Sequence, residues 1–185
     1  MIRNLALATL SAVLLAPSAQ AQAPAQSAQT KMAVSDPLFA AAAAEGGLKE
    51  VTISELGVQK ATDPELKKFS QHMVDEHTKM NAELAALAAK KQVALPKALS
   101  PSASFCAQDL AGLSGEDFDA CYAKAQLVVH MDSVATFTAE AERGQDAEMK
   151  ALAAKSLPHI KEHLNTIKPI AMRYEEKMKQ KKGEK

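Results

Sequence analysis

Glu50, His77, His130 and His163 are the residues of this chain whose types and placement could do chemistry. Each falls within about two positions of the middle of one of four helical segments, which the apolar pattern places at roughly 37–61, 64–91, 116–143 and 146–180. In helices of similar length, mid-helix residues share one layer whichever way each helix runs. One carboxylate and three imidazoles are therefore expected to meet in the interior.

Such a layer has two readings. Three neutral imidazoles and a carboxylate suit a single zinc, copper or iron ion, and softer donors favour copper. Met73 and Met80 flank His77 on its own stripe and would attract Cu(I), although Met at helical spacing also fills cores. The other reading is a hydrogen-bonded polar layer without metal. A buried neutral histidine needs partners for both ring nitrogens, and Glu50, Tyr122 or Asp119 could supply them. Such a layer fixes helix register, and its protonation near pH 6 would loosen the protein. His159 and His163, spaced i and i+4, could also clamp an ion at the surface.

Other chemistries find less support. A di-iron carboxylate site needs Glu-x-x-His on two helices, and the chain contains none. Glu76-His77 and Glu162-His163 are adjacent pairs whose side chains diverge by about 100° on a helix. There is no Gly-x-Ser-x-Gly, no phosphate-binding glycine loop and no dinucleotide fingerprint. Enzyme activity is the least supported class.

The elements that must position these residues are helices. Asp36-Pro37 and Asp63-Pro64-Glu65 each combine an N-cap with proline at the first helical position. The near absence of a link at Asp63 makes the first two helices an antiparallel hairpin. In the second, Leu66, Phe69, Met73, His77, Met80, Leu84 and Leu87 form one stripe, and His72 points away from it. The third carries Leu127, His130, Val134 and Phe137 on one face, with Phe118 and Tyr122 beside it. Gly144 closes it, and Asp146 can cap the fourth, where His163 flanks the stripe of Met149, Leu152, Ile160, Ile167 and Tyr174. Pro158 is expected to kink that last helix.

The first helix is alanine-rich and apolar nearly all round, so its inward carboxylate is either Glu50 or Glu55, the latter on a stripe with Leu48, Val51 and Val58. Gly46 and Gly57 lie near the face of Glu50 and would permit a close approach. Between the second and third helices, Gln92 to Gly115 is a long connection. About 24 extended residues reach roughly 75 Å, ample to run back along a helix of about 39 Å. Short, long, short is the connection pattern of ferritin-like bundles, with a plain up-down-up-down bundle as the alternative.

The ends bear on compartment. Arg3, the apolar run Leu5 to Ala16, and Ala19-Gln20-Ala21 form the pattern of a secretory signal peptide over residues 1–21, with mature starts at Gln22 or Pro24. Residues 22–35 are mostly Ala, Gln, Ser, Pro and Thr and read as a flexible leader; 36–180 form the domain, and 181–185 a basic tail. No later segment is long and apolar enough to span a bilayer, so no stable membrane insertion is expected after cleavage. Without residues 1–21 the chain carries 21 basic and 22 acidic residues, which argues against nucleic acid as a partner. Export makes a Cys106–Cys121 disulfide the expected pairing, stabilising by roughly 3 kcal/mol in the chain-entropy model. Free thiols are the alternative.

Several short motifs, in order, resemble a bacterial family known only as domain-of-unknown-function family 4142. They are Gly46-Gly47 with Glu50-Val51, then Phe69, Met73-Val74, His77-Thr78 and Asn81, and Leu95-Pro96. Phe118-Asp119 with Tyr122, His130, and Leu157-Pro158 with His163-Leu164 complete the set. The resemblance covers roughly residues 35–175 and implies export and a ferritin-like bundle, with no settled activity.

The sequence thus predicts an all-α, periplasmic four-helix bundle, ferritin-like in connectivity, with a long crossover between its second and third helices. Two functions stand side by side. One is a non-catalytic envelope or stress-related protein that acts through an envelope partner or as a homo-oligomer. The other is a metal-binding protein holding one transition-metal ion on His77, His130, His163 and Glu50 or Glu55.

Overall fold

The structure, a computed structural model, describes residues 32–183. The expected signal peptide (1–21), most of the expected leader and the last two residues of the basic tail lie outside the described residues. Among those described there are five helices and no strand: α1 (Asp36–Lys60), α2 (Pro64–Lys90), α3 (Pro101–Gly112), α4 (Gly115–Arg143) and α5 (Ala147–Gly183). The class is all-α. The four long helices lie where the apolar pattern puts them, and α5 stays one helix through Pro158 and Pro169. None of the described helices is long and apolar enough to cross a membrane.

Caps explain most helix starts. The Asp63 carboxylate accepts from Glu65 N at 2.8 Å ahead of Pro64, and Asp146 accepts from Glu148 N and Met149 N at 3.0 and 3.1 Å. At α1 the detail differs from the expected cap. Ser35 occupies the N-cap, and the Asp36 carboxylate instead accepts from Gln145 N (2.7 Å) and Asp146 N (3.1 Å). The beginning of α1 is thereby tied to the α4–α5 turn. Residues 32–35 reach the same place, where Val34 N donates to the Arg143 carbonyl at 3.2 Å.

The opposite end is fastened the same way. Asp119, buried near the start of α4, accepts from Thr62 N (3.0 Å), Thr62 Oγ1 (2.5 Å) and Asp63 N (3.1 Å). Tyr174 of α5 donates to Asp63 at 3.0 Å. The start of α4 therefore sits beside the α1–α2 turn. Lys91, just past the end of α2, pairs with Asp146 and Glu148 at the start of α5 (2.6 and 2.7 Å). Side by side, α1 packs on α2 and α4, and α5 packs on α4 and α2.

The connection between α2 and α4 begins where Lys91 meets the start of α5 and ends where Asp119 meets the α1–α2 turn. It is not the bare link expected from the sequence, for α3 forms inside it. Ser100 caps that helix by accepting from Ala103 N at 3.2 Å, and also donates to Glu45 at 2.6 Å. Only Ala103 and Leu110 of α3 are buried, too few to print a helical period on the sequence.

The Cys106–Cys121 disulfide is not formed here, and both residues are free, half-buried thiols on α3 and α4. Cys121 donates weakly to Asp109 at 3.7 Å. Burial and that carboxylate push its thiol pKa up, which keeps it protonated.

Two apolar clusters fill the interior. One, toward the α1–α2 turn, gathers Ile53, Leu66, Phe69, Met73, Phe118 and Ile167; the other gathers Phe39, Leu84, Phe137, Met149 and Ile160. Glu50, His77, His130 and His163 lie on the stretches of helix between them.

The close approaches of α1 are made at Gly47 and Gly57, not Gly46. A Cβ at Gly57 would stand 2.2 Å from Ser70 Oγ and 2.7 Å from Tyr122 Cζ, whereas one at Gly46 meets nothing within 4 Å. Gly57→Ala should therefore destabilise the protein by about 1–3 kcal/mol through overpacking. Gly46→Ala should stabilise it by up to about 1 kcal/mol through helix propensity. Urea denaturation of the two variants checks the opposite signs.

Candidate metal centre

Each histidine of the layer arrives by helical register. His77 falls one turn after Met73 on the buried stripe of α2, His130 two turns after Tyr122 on α4, and His163 between Ile160 and Ile167 on α5. They are 4%, 0% and 2% exposed. Their ring centroids form a nearly equilateral triangle with sides of 5.6, 5.5 and 5.5 Å. One nitrogen from each ring lies within 4.8 Å of the other two, a span that side-chain rotation can close onto a single ion.

Hydrogen bonding leaves that triangle unsatisfied. The Nδ1 of His130 lies 2.9 Å from the Gln126 carbonyl, which can only accept, so Nδ1 carries the proton and Nε2 the lone pair. Nε2 of His130, Nε2 of His77 and Nδ1 of His163 are buried without a hydrogen-bond partner. Phe69 closes one side, its ring 6.1 Å from that of His130.

Burial holds all three imidazoles neutral. It lowers His130 to about 4 and His163 to about 3, in the latter case with His130 adding repulsion. His77 is also held well below its usual value, by burial first and then by its two neighbours. Protonation near pH 6, expected from the sequence, is therefore displaced to more acid conditions in the folded protein.

The helix α1 carboxylate of the layer is Glu50; Glu55 is exposed and takes no part. Glu50 is fully buried, and burial raises its pKa to about 8. Its Oε1 lies 3.2 Å from His130 Nδ1, beside the N–H rather than along it, since the Gln126 carbonyl takes that direction. Neither oxygen makes a hydrogen bond of good geometry, although the nearby Gln126 amide offsets part of the pKa rise. Glu50 thus stands behind His130, on the nitrogen turned away from the lone pair, and is not one of the three residues whose donor atoms converge.

Tyr122 and Asp119, expected as partners for the histidines, are engaged elsewhere. Asp119 holds the α1–α2 turn. Tyr122 OH belongs to a separate buried network, accepting from Ser70 Oγ (2.8 Å) and Gln126 Nε2 (3.2 Å), with Gln126 also donating to Ser54 at 2.9 Å. Ser54, Ser70 and Gln126 are short or uncharged side chains that the helical pattern does not distinguish from core filler.

On the other side, a chamber of about 20 Å³ adjoins His77, lined by Met80, Asn81, Ser133 and Ser156 among others. That is room for about one water molecule. A further buried carboxyl went unread in the sequence: Glu140, raised to about 7 by burial and then by the neighbouring carboxylate of Asp36.

Comparison with known proteins places this architecture. The chain belongs to the family described as domain of unknown function (DUF4142), which matches residues 21–170. Among solved structures, the crystal structure of a DUF305 fragment from Deinococcus radiodurans is similar to it, with a TM-score of 0.66 and 10% sequence identity. The likeness covers 77% of this chain and 99% of that one, and at such identity it concerns the fold alone. No curated protein matches the chain.

The opposed shifts predict how stability depends on pH in metal-free protein. Histidines lowered in the folded state bind protons better when unfolded, so stability falls as pH drops below about 6.5 and keeps falling toward 3–4. Glu50 and Glu140 are raised, so they favour the folded state while protonated, and stability falls as pH climbs from about 4.5 through 7 and 8. Urea denaturation should accordingly give a maximum near about pH 6 with losses on both sides. Constant stability from pH 6.5 to 8.5 would contradict a protonated Glu50.

Proposed function

We propose that this protein is a periplasmic, ferritin-like four-helix bundle that binds one transition-metal ion on His77, His130 and His163. The observation that carries the reading is the set of three buried, neutral imidazoles, each with an unpartnered nitrogen turned into one layer. A purely structural polar layer would satisfy those atoms, because an unpartnered buried acceptor costs about 1–3 kcal/mol. A cation satisfies all three at once.

Glu50 completes the arrangement. With a cation on the far side of His130, its carboxyl ionises, offsets part of the charge, and orients the ring from behind. Three imidazoles suit Zn²⁺, copper or iron, and the buried thioether of Met73 with Met80 beside His77 leans toward copper. A single ion fits better than a carboxylate-rich di-iron pair, since Glu50 is the one acidic side chain of this layer among the described residues. The role is binding rather than catalysis of a known reaction class.

The bundle assignment is supported by the side-by-side packing of α1 with α2 and α4, and of α5 with α4 and α2. It is supported also by the link that returns from the end of α2 to the level of the α1–α2 turn. Arg3, the apolar run and Ala19-Gln20-Ala21 support export to the periplasm.

Elemental analysis of untagged mature protein recovered from the periplasm, followed by Zn²⁺, Cu⁺ and Fe²⁺ titration, tests this directly. The expected result is one ion per chain, lost in His77→Ala, His130→Ala and His163→Ala. Glu50→Gln should retain binding but weaken it about 10–100-fold. At free ion about 1,000 times Kd, the wild type should melt on the order of 10 °C higher. No bound ion, and no shift in melting temperature with any of the three, would return the layer to a structural role and direct the search to an envelope partner.

A further inference from the structure

The three core histidines are almost wholly buried, so an ion needs a route in. The seam between α2 and α5 supplies one. His72 is exposed on α2, yet its ring lies edge-on 5.3 Å from that of His163, which in turn meets both inner rings at 5.5 Å. His163 is therefore the member of the triangle that faces both the surface and the core. Glu76 follows His72 by one turn of α2, and His159 precedes His163 by one turn of α5. Across the seam, His159 Nδ1 lies 4.0 Å from Glu76 Oε2, with their side chains 55% and 24% exposed.

Two imidazoles and a carboxylate are a donor set for a borderline divalent cation. Glu76 is ionised at neutral pH, held below the usual carboxylate range first by its hydrogen bond to Lys79 at 3.0 Å. Lys79 is exposed and flexible, so a divalent cation can displace it at little cost. Among the described residues, the core triangle is the group of three that already converges tightly. The surface trio is looser, as suits transient capture rather than retention.

We propose that His72, Glu76 and His159 form a surface capture site that passes a divalent transition-metal cation through His163 to the core. This rests on the core being a metal site. Transfer is stepwise ligand exchange: the ion gains His163 before releasing His72, and then gains His130 and His77 as it leaves the surface. No electron or covalent bond is exchanged.

A group that helps the ion pass but does not hold it at rest lowers the barrier equally in both directions. The test is stopped-flow transfer of Zn²⁺ between a chromophoric chelator and the full mature protein at pH 7. The His72→Ala/His159→Ala double variant should load and release Zn²⁺ about tenfold more slowly, with an unchanged Kd and melting temperature. Glu76→Gln should slow both steps by a smaller factor. Unchanged rates alongside retained tight binding would overturn the relay and leave the core site standing. A weakened Kd with unchanged loading would also overturn it, by making the surface residues part of the final site. Failure of wild-type protein to take up Zn²⁺, Cu⁺ or Fe²⁺ at equilibrium would remove the core reading, and the relay with it.

Discussion

Three imidazole nitrogens and a carboxyl group without hydrogen-bond partners are enclosed among the helices, between two apolar clusters, and the rest of the molecule is arranged around holding them there. Each unpartnered buried atom costs on the order of 1–3 kcal/mol, so the layer works against folding unless something occupies it. The clusters on either side leave space for no more than about one water, in the chamber beside His77, to relieve that cost. Ile53, Phe69, Phe118 and Ile167 close the layer toward the α1–α2 turn, and Phe39, Phe137 and Ile160 close it on the other side.

Such a centre requires ends that do not give. Both are held by carboxylates that collect backbone donors from turns. Asp119 gathers Thr62 N and Asp63 N, and Asp36 gathers Gln145 N and Asp146 N. In each case the carboxylate belongs to a helix that is not part of the turn it grips. The two hairpins, α1–α2 and α4–α5, are thus fastened to each other at both extremities, which fixes the height of His77 relative to His130 and His163. Charge-assisted bonds of this kind are about twice as strong as neutral ones.

The interior polar groups divide into two sets with different chemistry. Ser54, Ser70, Tyr122 and Gln126 join one another in a hydrogen-bonded network that leaves only Gln126 Oε1 without a partner, and Gly57 lets α1 come close enough for it to form. The histidines and Glu50 are left open one layer away. A network built only for helix register would have used Tyr122 or Gln126 to satisfy the rings. Gln126 does touch His130, but through its backbone carbonyl, and that contact settles which nitrogen bears the proton and which is left free. His163 has a second neighbour in His72, so the triangle is not isolated from the surface.

Much of this was legible in the residues. Asp63-Pro64 and Asp146 announced helix starts, the stripe through Met73, His77 and Leu84 gave α2 its inner face, and the mid-helix placement of three histidines brought them into one layer. These follow from local rules, the 3.6-residue period and the capping of backbone donors, which a chain carries wherever it folds. Tertiary structure decided the rest. Alanines all round α1 left Glu50 and Glu55 equivalent until α4 packed against one face. Helix α3 buries too few side chains to show a period, and Cys106 and Cys121 share a neighbourhood without a bond. Whether the histidines were satisfied or left open also depended on the tertiary fold. Hydrogen-bond satisfaction is a property of distances between helices, and those are set by packing, not by the order of residues along any one of them.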